Sequence, residues 1–193
     1  AGELTSLQGK GRYRGKVEIL PNAQGRLTVV NTLDLETYLR GVVPKEMGAW
    51  EFPALEALKA QKGVDASRLA VIGFCFGGTG ALEAARAGLD VKAVVSFHGG
   101  LDVPAGYVSG PITAKVLVCH GADDPFVPAK DVAAFQDEMR KAKADYVFAA
   151  YAGAVHAFTQ KEAGNDNSKG AAYNETAHRR SWRHLQDFFQ ENL

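Results

Sequence analysis

The chain has 193 residues, with 22 basic and 22 acidic side chains and 46% hydrophobic residues. That length suits one domain, or one domain with an extra piece, and the apolar fraction is enough to bury a core, which excludes bulk disorder. A formal net charge of zero gives no basic field to hold a nucleic-acid backbone, and no run of about 18 apolar residues offers a membrane span.

The first ten residues lack the basic-then-apolar pattern of a signal peptide. Residues 13–20 alternate, residues 21–25 carry Pro21, Asn22 and Gly25, and residues 26–31 form a second strand-like run, which together predict a β-hairpin. Asp34 then caps a short helix that Gly41 ends, and a second helix is expected over residues 52–61, with Ala54, Leu55 and Leu58 on one face. From Gly63 the style changes to alternating apolar strands and amphipathic helices, the pattern of βαβ units around a parallel sheet. The expected strands are 69–74, 93–97, 115–119 and 145–151. The expected helices are 78–87, 129–143 and about 174–191, the last preceded by a Gly, Asn, Asp and Ser loop at 164–170. Continuous apolar runs such as Val116-Leu117-Val118 imply a sheet covered on both faces. Cys75 and Cys119 both adjoin such runs, which suits buried thiols or one reactive thiol in a reducing, cytoplasmic compartment rather than a disulfide framework.

The densest chemistry lies at the end of the 69–74 strand. Gly73-Phe74-Cys75-Phe76-Gly77 follows a strand and opens a helix, so it fits a nucleophile elbow with cysteine as nucleophile. The glycines are expected because side chains two before and two after the nucleophile would collide in so tight a turn. The helix N-terminus would favour the Cys75 thiolate, and the Phe76 backbone N–H would serve as an oxyanion donor. A buried cysteine before an ordinary Gly-rich loop is the plain alternative. An elbow needs an acid and a histidine later in the chain, each after a strand. Asp124, in Asp123-Asp124-Pro125, and His156, in Ala154-Val155-His156, stand in that order. Cys75 would attack a carbonyl, His156 would manage the proton and Asp124 would orient the imidazole. Asp123 and Asp124 are also the residues a turn before a proline would use, and His98 competes with His156 for the proton-transfer role. This chemistry calls for no cofactor and no metal.

From about residue 63 to 193 the chain resembles the dienelactone hydrolase family. The stretches that carry the likeness are Val64-Asp65-Ala66-Ser67-Arg68, Gly73-Phe74-Cys75-Phe76-Gly77-Gly78, Ser96-Phe97-His98-Gly99-Gly100, His120-Gly121-Ala122-Asp123-Asp124-Pro125-Phe126-Val127-Pro128 and Ala154-Val155-His156. The resemblance implies an α/β-hydrolase fold, a small ester or lactone substrate and a Cys75, Asp124, His156 triad. Ala157 and Gln160 depart from the family pattern, which often has serine after the histidine and an arginine for a substrate carboxylate. A carboxylated lactone is therefore not the expected substrate.

Residues 1–61 resemble a different family. Val30-Asn31-Thr32-Leu33-Asp34-Leu35-Glu36-Thr37-Tyr38-Leu39-Arg40-Gly41-Val42-Val43-Pro44-Lys45-Glu46-Met47 and Glu56-Ala57-Leu58-Lys59-Ala60-Gln61 are similar to the start of a SpoIID domain. That likeness implies Glu46 as a glycan-cleaving acid, although an exposed residue near a helix start, where first-turn acids are common, is the reading favoured for it. The expectation is thus a recombined or engineered fusion of a 1–61 segment with a 62–193 hydrolase half, packed as one domain. Its fold would be a three-layer, mostly parallel partial α/β-hydrolase, with the hairpin and the 52–61 helix covering the sheet edge that the 69–74 strand leaves exposed. A homodimer through that edge is the other way to cover it. With the loop for a second oxyanion donor missing from such a fusion, ester hydrolysis would be weak or absent, since one donor is worth about 100- to 1000-fold in turnover. A non-enzymatic chimera and a peptidoglycan-directed activity are the alternatives.

Overall fold

The computed structural model describes the backbone of residues 5–7, 11–13, 16–21, 27–32, 53–102 and 111–193, with side chains over 55–102 and 111–193. The chain forms two compact units, Ala1–Trp50 and Glu51–Leu193. In the first, β1 (Thr5–Leu7) pairs antiparallel with β2 (Gly11–Tyr13), and β3 (Lys16–Pro21) with β4 (Leu27–Thr32). The β3–β4 pair, in register from Lys16 opposite Thr32 to Pro21 opposite Leu27, is the hairpin the alternation and the Pro21 to Gly25 turn predict. The β1–β2 pair has no counterpart in the sequence reading. The short helix expected after Asp34, and Glu46 with it, lie outside the described residues.

The second unit is a four-stranded parallel sheet in the order β5 (Ala70–Phe74), β6 (Ala93–Phe97), β7 (Lys115–Gly121), β8 (Tyr146–Tyr151). All four strands fall where apolar, β-branched runs place them. The helices are α1 (Pro53–Lys59), α2 (Phe76–Arg86), α3 (Ala129–Lys141) and α4 (Glu175–Asn192). The α2 helix starts at Phe76, two residues earlier than its expected start, because the elbow residue Cys75 itself occupies the N-cap position.

Strand alternation sorts the core into two layers. On one face Val94, Val116 and Val118 pack with Ala81, Leu82 and Ala85 of α2 and with Phe135 and Met139 of α3. On the other, Ala93, Val95, Phe97, Leu117 and Cys119 pack with Ala177, Leu185 and Phe188 of α4. The result is the expected three-layer α/β arrangement, with α1 packing through Leu55 onto the α2/α3 face. Every residue of β6 is buried, as a central parallel strand requires. At the β5 edge, Ile72 and Phe74 are 41% and 38% exposed. The α4 helix buries Ala177, Ser181, Leu185 and Phe188, one stripe at helical spacing, and Asn174 caps it by accepting the Ala177 N–H at 3.0 Å.

The apolar face between α2 and α3 contains one charged residue held by several acceptors. Arg86, 1% exposed, reaches Glu83 at 2.6 Å, Glu138 at 2.8 Å and the Leu101 carbonyl at 3.0 Å. This clamp joins α2 to α3 over the sheet. Removing one member of a buried charge group leaves the others uncompensated, so Arg86→Ala is expected to lower unfolding free energy by about 3 to 5 kcal/mol. By contrast Lys115→Ala, which breaks the exposed pair with Asp145, is expected to cost less than about 1 kcal/mol. Urea denaturation of both variants checks the contrast.

Candidate active site

Parallel register brings the carboxyl ends of the strands to one edge of the sheet, where Phe74, Phe97 and Cys119 lie side by side. The residues that follow these strands, and those in the loop after β8, form the site. At the elbow, Cys75 has φ +53° and ψ −123°, a conformation that costs a non-glycine residue about 1 to 3 kcal/mol. Its N–H bridges to the Phe97 carbonyl at 3.0 Å and to His98 Nδ1 at 3.1 Å, while its carbonyl accepts from Gly78 and Thr79 at 2.9 and 3.2 Å. A Cβ on Gly73 would sit 1.9 Å from the Gly77 carbonyl oxygen, so only glycine fits there. The steric reason given for Gly77 does not hold, however: a Cβ at Gly77 meets open space, and the crowded second position is Gly78, against Ser96 and Phe97.

The loops after β7 and β8 meet because Gly121 lets them. A Cβ at Gly121 would stand 2.6 Å from the Val155 carbonyl oxygen and 2.7 Å from that of Ala154. Asp123 N–H donates to Ala154 O at 2.9 Å, and the Asp123 carboxylate accepts the Gly153 N–H at 3.1 Å. Asp123 is thus the turn former. Asp124, beside it, turns inward with its side chain fully buried, one oxygen accepting the Phe126 N–H at 2.9 Å and the other 2.8 Å from His156 Nδ1. His156 is held by both its own backbone groups, the N–H to Gly170 O at 3.1 Å and the carbonyl from Ala172 N–H at 3.0 Å. Its Nε2 lies 3.1 Å from Cys75 Sγ.

Cys75, His156 and Asp124 therefore stand in one hydrogen-bonded line, the arrangement that the order thiol, imidazole, carboxylate leads one to expect of a nucleophile elbow. As the first residue of α2, Phe76 has an N–H without an intrahelical acceptor, at the positive end of the helix dipole. His98, the competing histidine, points elsewhere: its ring contacts the Cys75 backbone and the Thr159 hydroxyl, at 2.8 Å from Nε2. His120, next along β7, packs its ring against Phe148 and stays out of the line. Phe126, 52% exposed, stands edge to face with His156 at 5.4 Å, a neighbour the sequence reading did not single out. Among the described residues no three His, Cys, Asp or Glu side chains cluster so as to hold a metal ion, and no helix is long and apolar enough to cross a membrane.

The environment splits the two histidines. Burial opposes charge on His156, but the hydrogen bonds and charges of Asp124 and Cys75 outweigh it and raise its pKa from 6.5 to about 9. Burial and the neighbouring His156 lower that of His98 from 6.5 to about 4. An imidazolium 3.1 Å from a sulfur favours the thiolate over the thiol.

Three comparisons bear on what such a site belongs to. The dienelactone hydrolase family matches residues 30–193. An uncharacterized protein of Caenorhabditis elegans is 37% identical over 140 residues, covering 72% of this chain and 89% of that protein. A Bradyrhizobium protein named as a probable 2-oxo-3-(5-oxofuran-2-ylidene)propanoate lactonase is 32% identical over 72% of this chain, which spans only 56% of that relative's length. Among solved structures, the dienelactone hydrolase-like promiscuous phosphotriesterase P91, from metagenomic libraries, superposes with a TM-score of 0.70 at 40% identity, covering 87% of this chain and 71% of that one. The family match begins at residue 30, well before the joint expected near residue 61, and takes in much of the stretch compared with SpoIID. No finding supports a SpoIID segment or a fusion.

The raised pKa of His156 has a signed consequence. A histidine whose folded pKa lies above its ordinary value contributes stability that is complete below 6.5 and is lost as pH rises through about 9. NMR titration of the His156 ring is expected to give a midpoint near 9. In Asp124→Asn the midpoint should move down, and the fall in unfolding free energy between these pH values should shrink relative to wild type.

Proposed function

The chain belongs to the dienelactone hydrolase family, and from that premise we propose that it hydrolyses small esters or lactones through Cys75, His156 and Asp124. The observation that carries this reading is the line of contacts at 3.1 and 2.8 Å from Cys75 Sγ through His156 to Asp124, at the open end of a parallel sheet.

The Cys75 thiolate attacks the carbonyl carbon, and the carbonyl electron pair moves to oxygen, where the Phe76 N–H donates to it. Collapse of this tetrahedral species breaks the acyl carbon–oxygen bond. His156 gives its Nε2 proton to the departing alkoxide, leaving a thioester on Cys75 and a neutral imidazole. In a lactone that alkoxide remains tethered to the acyl chain, so ring opening needs no departure from the site. The neutral His156 then takes a proton from water as the water attacks the thioester. The carbon–sulfur bond breaks, the acid leaves, and the thiolate–imidazolium pair is restored. Asp124, held by the Phe126 N–H, keeps Nδ1 protonated throughout and stabilises the imidazolium whenever Nε2 carries its proton.

The likeness to a lactonase and to a dienelactone hydrolase-like structure supports the ester and lactone class. Phe126, edge to face with His156, gives the triad an apolar neighbour that suits an uncharged substrate.

The test is hydrolysis of p-nitrophenyl acetate and of a small unsaturated lactone by wild type, Cys75→Ala and Asp124→Asn. Cys75→Ala should fall to the uncatalysed rate, and Asp124→Asn should lose on the order of 10²- to 10⁴-fold in kcat. Equal rates from folded wild type and Cys75→Ala would refute the proposal.

A further inference from the structure

The triad leaves a second buried histidine unexplained. His98 follows β6 directly, is 0% exposed and has φ +40°, a backbone conformation few non-glycine residues adopt. Its ring is enclosed edge to face by His156 at 5.2 Å and by Phe158 at 5.2 Å, with Phe74 at 6.2 Å. The Cys75 N–H can donate to Nδ1 only if that nitrogen carries a lone pair. The proton is therefore on Nε2, which donates to Thr159 Oγ1 at 2.8 Å. Burial and His156 both keep this imidazole neutral at physiological pH.

We infer that His98 is a positioning residue for the nucleophile: in its Nε2-protonated form it holds the strained Cys75 backbone through Nδ1 and walls one side of the His156 ring, and Thr159 fixes its tautomer. The inference rests on the reading of Cys75 and His156 as the reacting pair. The geometry gives it content. The bond from Nδ1 lands on the one backbone N–H that precedes both the nucleophilic sulfur and the Phe76 oxyanion donor. A shift of the Cys75 backbone moves Sγ relative to His156 and moves the Phe76 N–H relative to the carbonyl oxygen. Both errors raise the barrier after the substrate is bound, so the loss should fall on kcat more than on KM. The ring-to-ring contact adds a second constraint, since His156 can rotate toward His98 only by closing on its edge.

The experiment compares His98→Asn, His98→Gln, His98→Phe and Thr159→Val with wild type. The Asn side-chain oxygen occupies the place of Nδ1 and tolerates positive φ, so it can keep the bond to Cys75 N–H. Gln reaches the Nε2 place instead, and Phe keeps the ring but neither nitrogen. Two readouts are taken on samples shown by circular dichroism to be folded: the rate of Cys75 alkylation by iodoacetamide, located by mass spectrometry, and kcat and KM on p-nitrophenyl acetate. His98→Phe and His98→Gln are expected to slow alkylation and lower kcat on the order of 10- to 100-fold with little change in KM. His98→Asn should recover most of that loss, and Thr159→Val should fall between it and wild type.

Wild-type alkylation and kcat in His98→Phe would overturn the inference. So would a His98→Asn as impaired as His98→Phe, because restoring an acceptor for the Cys75 N–H would then recover nothing. Should His98→Phe not fold, Thr159→Val decides, and wild-type behaviour in it overturns the tautomer-fixing role. A wild-type chain that hydrolyses no ester, yet whose Cys75 alkylation slows in His98→Phe, would overturn the hydrolase reading and leave the positioning role standing.

Discussion

Everything at the open end of the sheet depends on the backbone of one residue. Cys75 sits in a conformation that its own side chain disfavours, φ +53°, and it stays there because its surroundings allow nothing else. A Cβ on Gly73 would stand 1.9 Å from the Gly77 carbonyl oxygen, so only a glycine lets the strand pass there. The Cys75 N–H is shared between an acceptor on β6 and an acceptor on the His98 ring, and its carbonyl is already bonded into the first turn of α2. Strain of about 1 to 3 kcal/mol is tolerable when several hydrogen bonds and a buried strand oppose its relief. The neighbourhood repeats the theme. Of the four non-glycine residues with positive φ among the described residues, three, Cys75, His98 and Ala157, are in or beside the line from Cys75 through His156 to Asp124. The scaffold that bears this strain is the three-layer core, whose two apolar faces and Arg86 clamp fix the strands that end at the site.

Two histidines 5.2 Å apart at ring centres are driven in opposite directions by what each can reach. His156 faces a carboxylate and a sulfur and holds its proton up to about 9. His98 faces a backbone N–H, a hydroxyl and aromatic edges, and it stays neutral down to about 4. Each also sustains the other's state, because a charge on one is a reason against a charge on its neighbour. This separation suits the division of labour proposed for the site, in which one ring moves protons and the other holds position. It also explains why the site needs both a buried acid and an unreactive wall. Without Asp124 the His156 ring would lose its carboxylate partner at Nδ1, and without the His98 ring at 5.2 Å it would lose the wall on one side.

How much of this was legible in the sequence follows from the range of each cause. Strands β5 to β8 were readable because β-branched apolar runs bury themselves wherever the chain puts them, and the meeting of Cys75, His156 and Asp124 was readable because an elbow fixes the order of its partners. What sequence could not separate were choices made by loop closure. Asp123 and Asp124 are adjacent, and only the packing of Gly121 on Val155 sends one outward to the Gly153 N–H and the other inward to His156. His98 and His156 both follow strands, and only the twist of the His98 backbone turns its ring toward the Cys75 N–H rather than the sulfur. The glycine rule was half right for the same reason: the crowding falls on backbone atoms of Gly77, not on its missing side chain. The N-terminal segment misled in another way. Its likeness to SpoIID rested on short local strings, whereas the family match from residue 30 onward draws on a pattern spread over most of the chain, and a distributed pattern outweighs a local one.

The surroundings of the two thiols differ in kind. Cys119 lies a strand away, in the core face that α4 covers, and is 0% exposed. Burial pushes its pKa from 9.0 up to about 12, more than the Tyr151 hydroxyl beside it can offset. Cys75, half-buried at a helix N-terminus, has instead an imidazolium at hydrogen-bond distance. Thiolate reactivity depends on both the charge state and access, and Cys119 lacks each of them. A thiol-directed reagent at neutral pH therefore reports on Cys75 alone in the native chain. The contrast is a property of the sheet: residues on its covered faces are kept neutral and closed off, while those just past its carboxyl edge meet charge, strain and solvent together, which is where nucleophilic chemistry can occur.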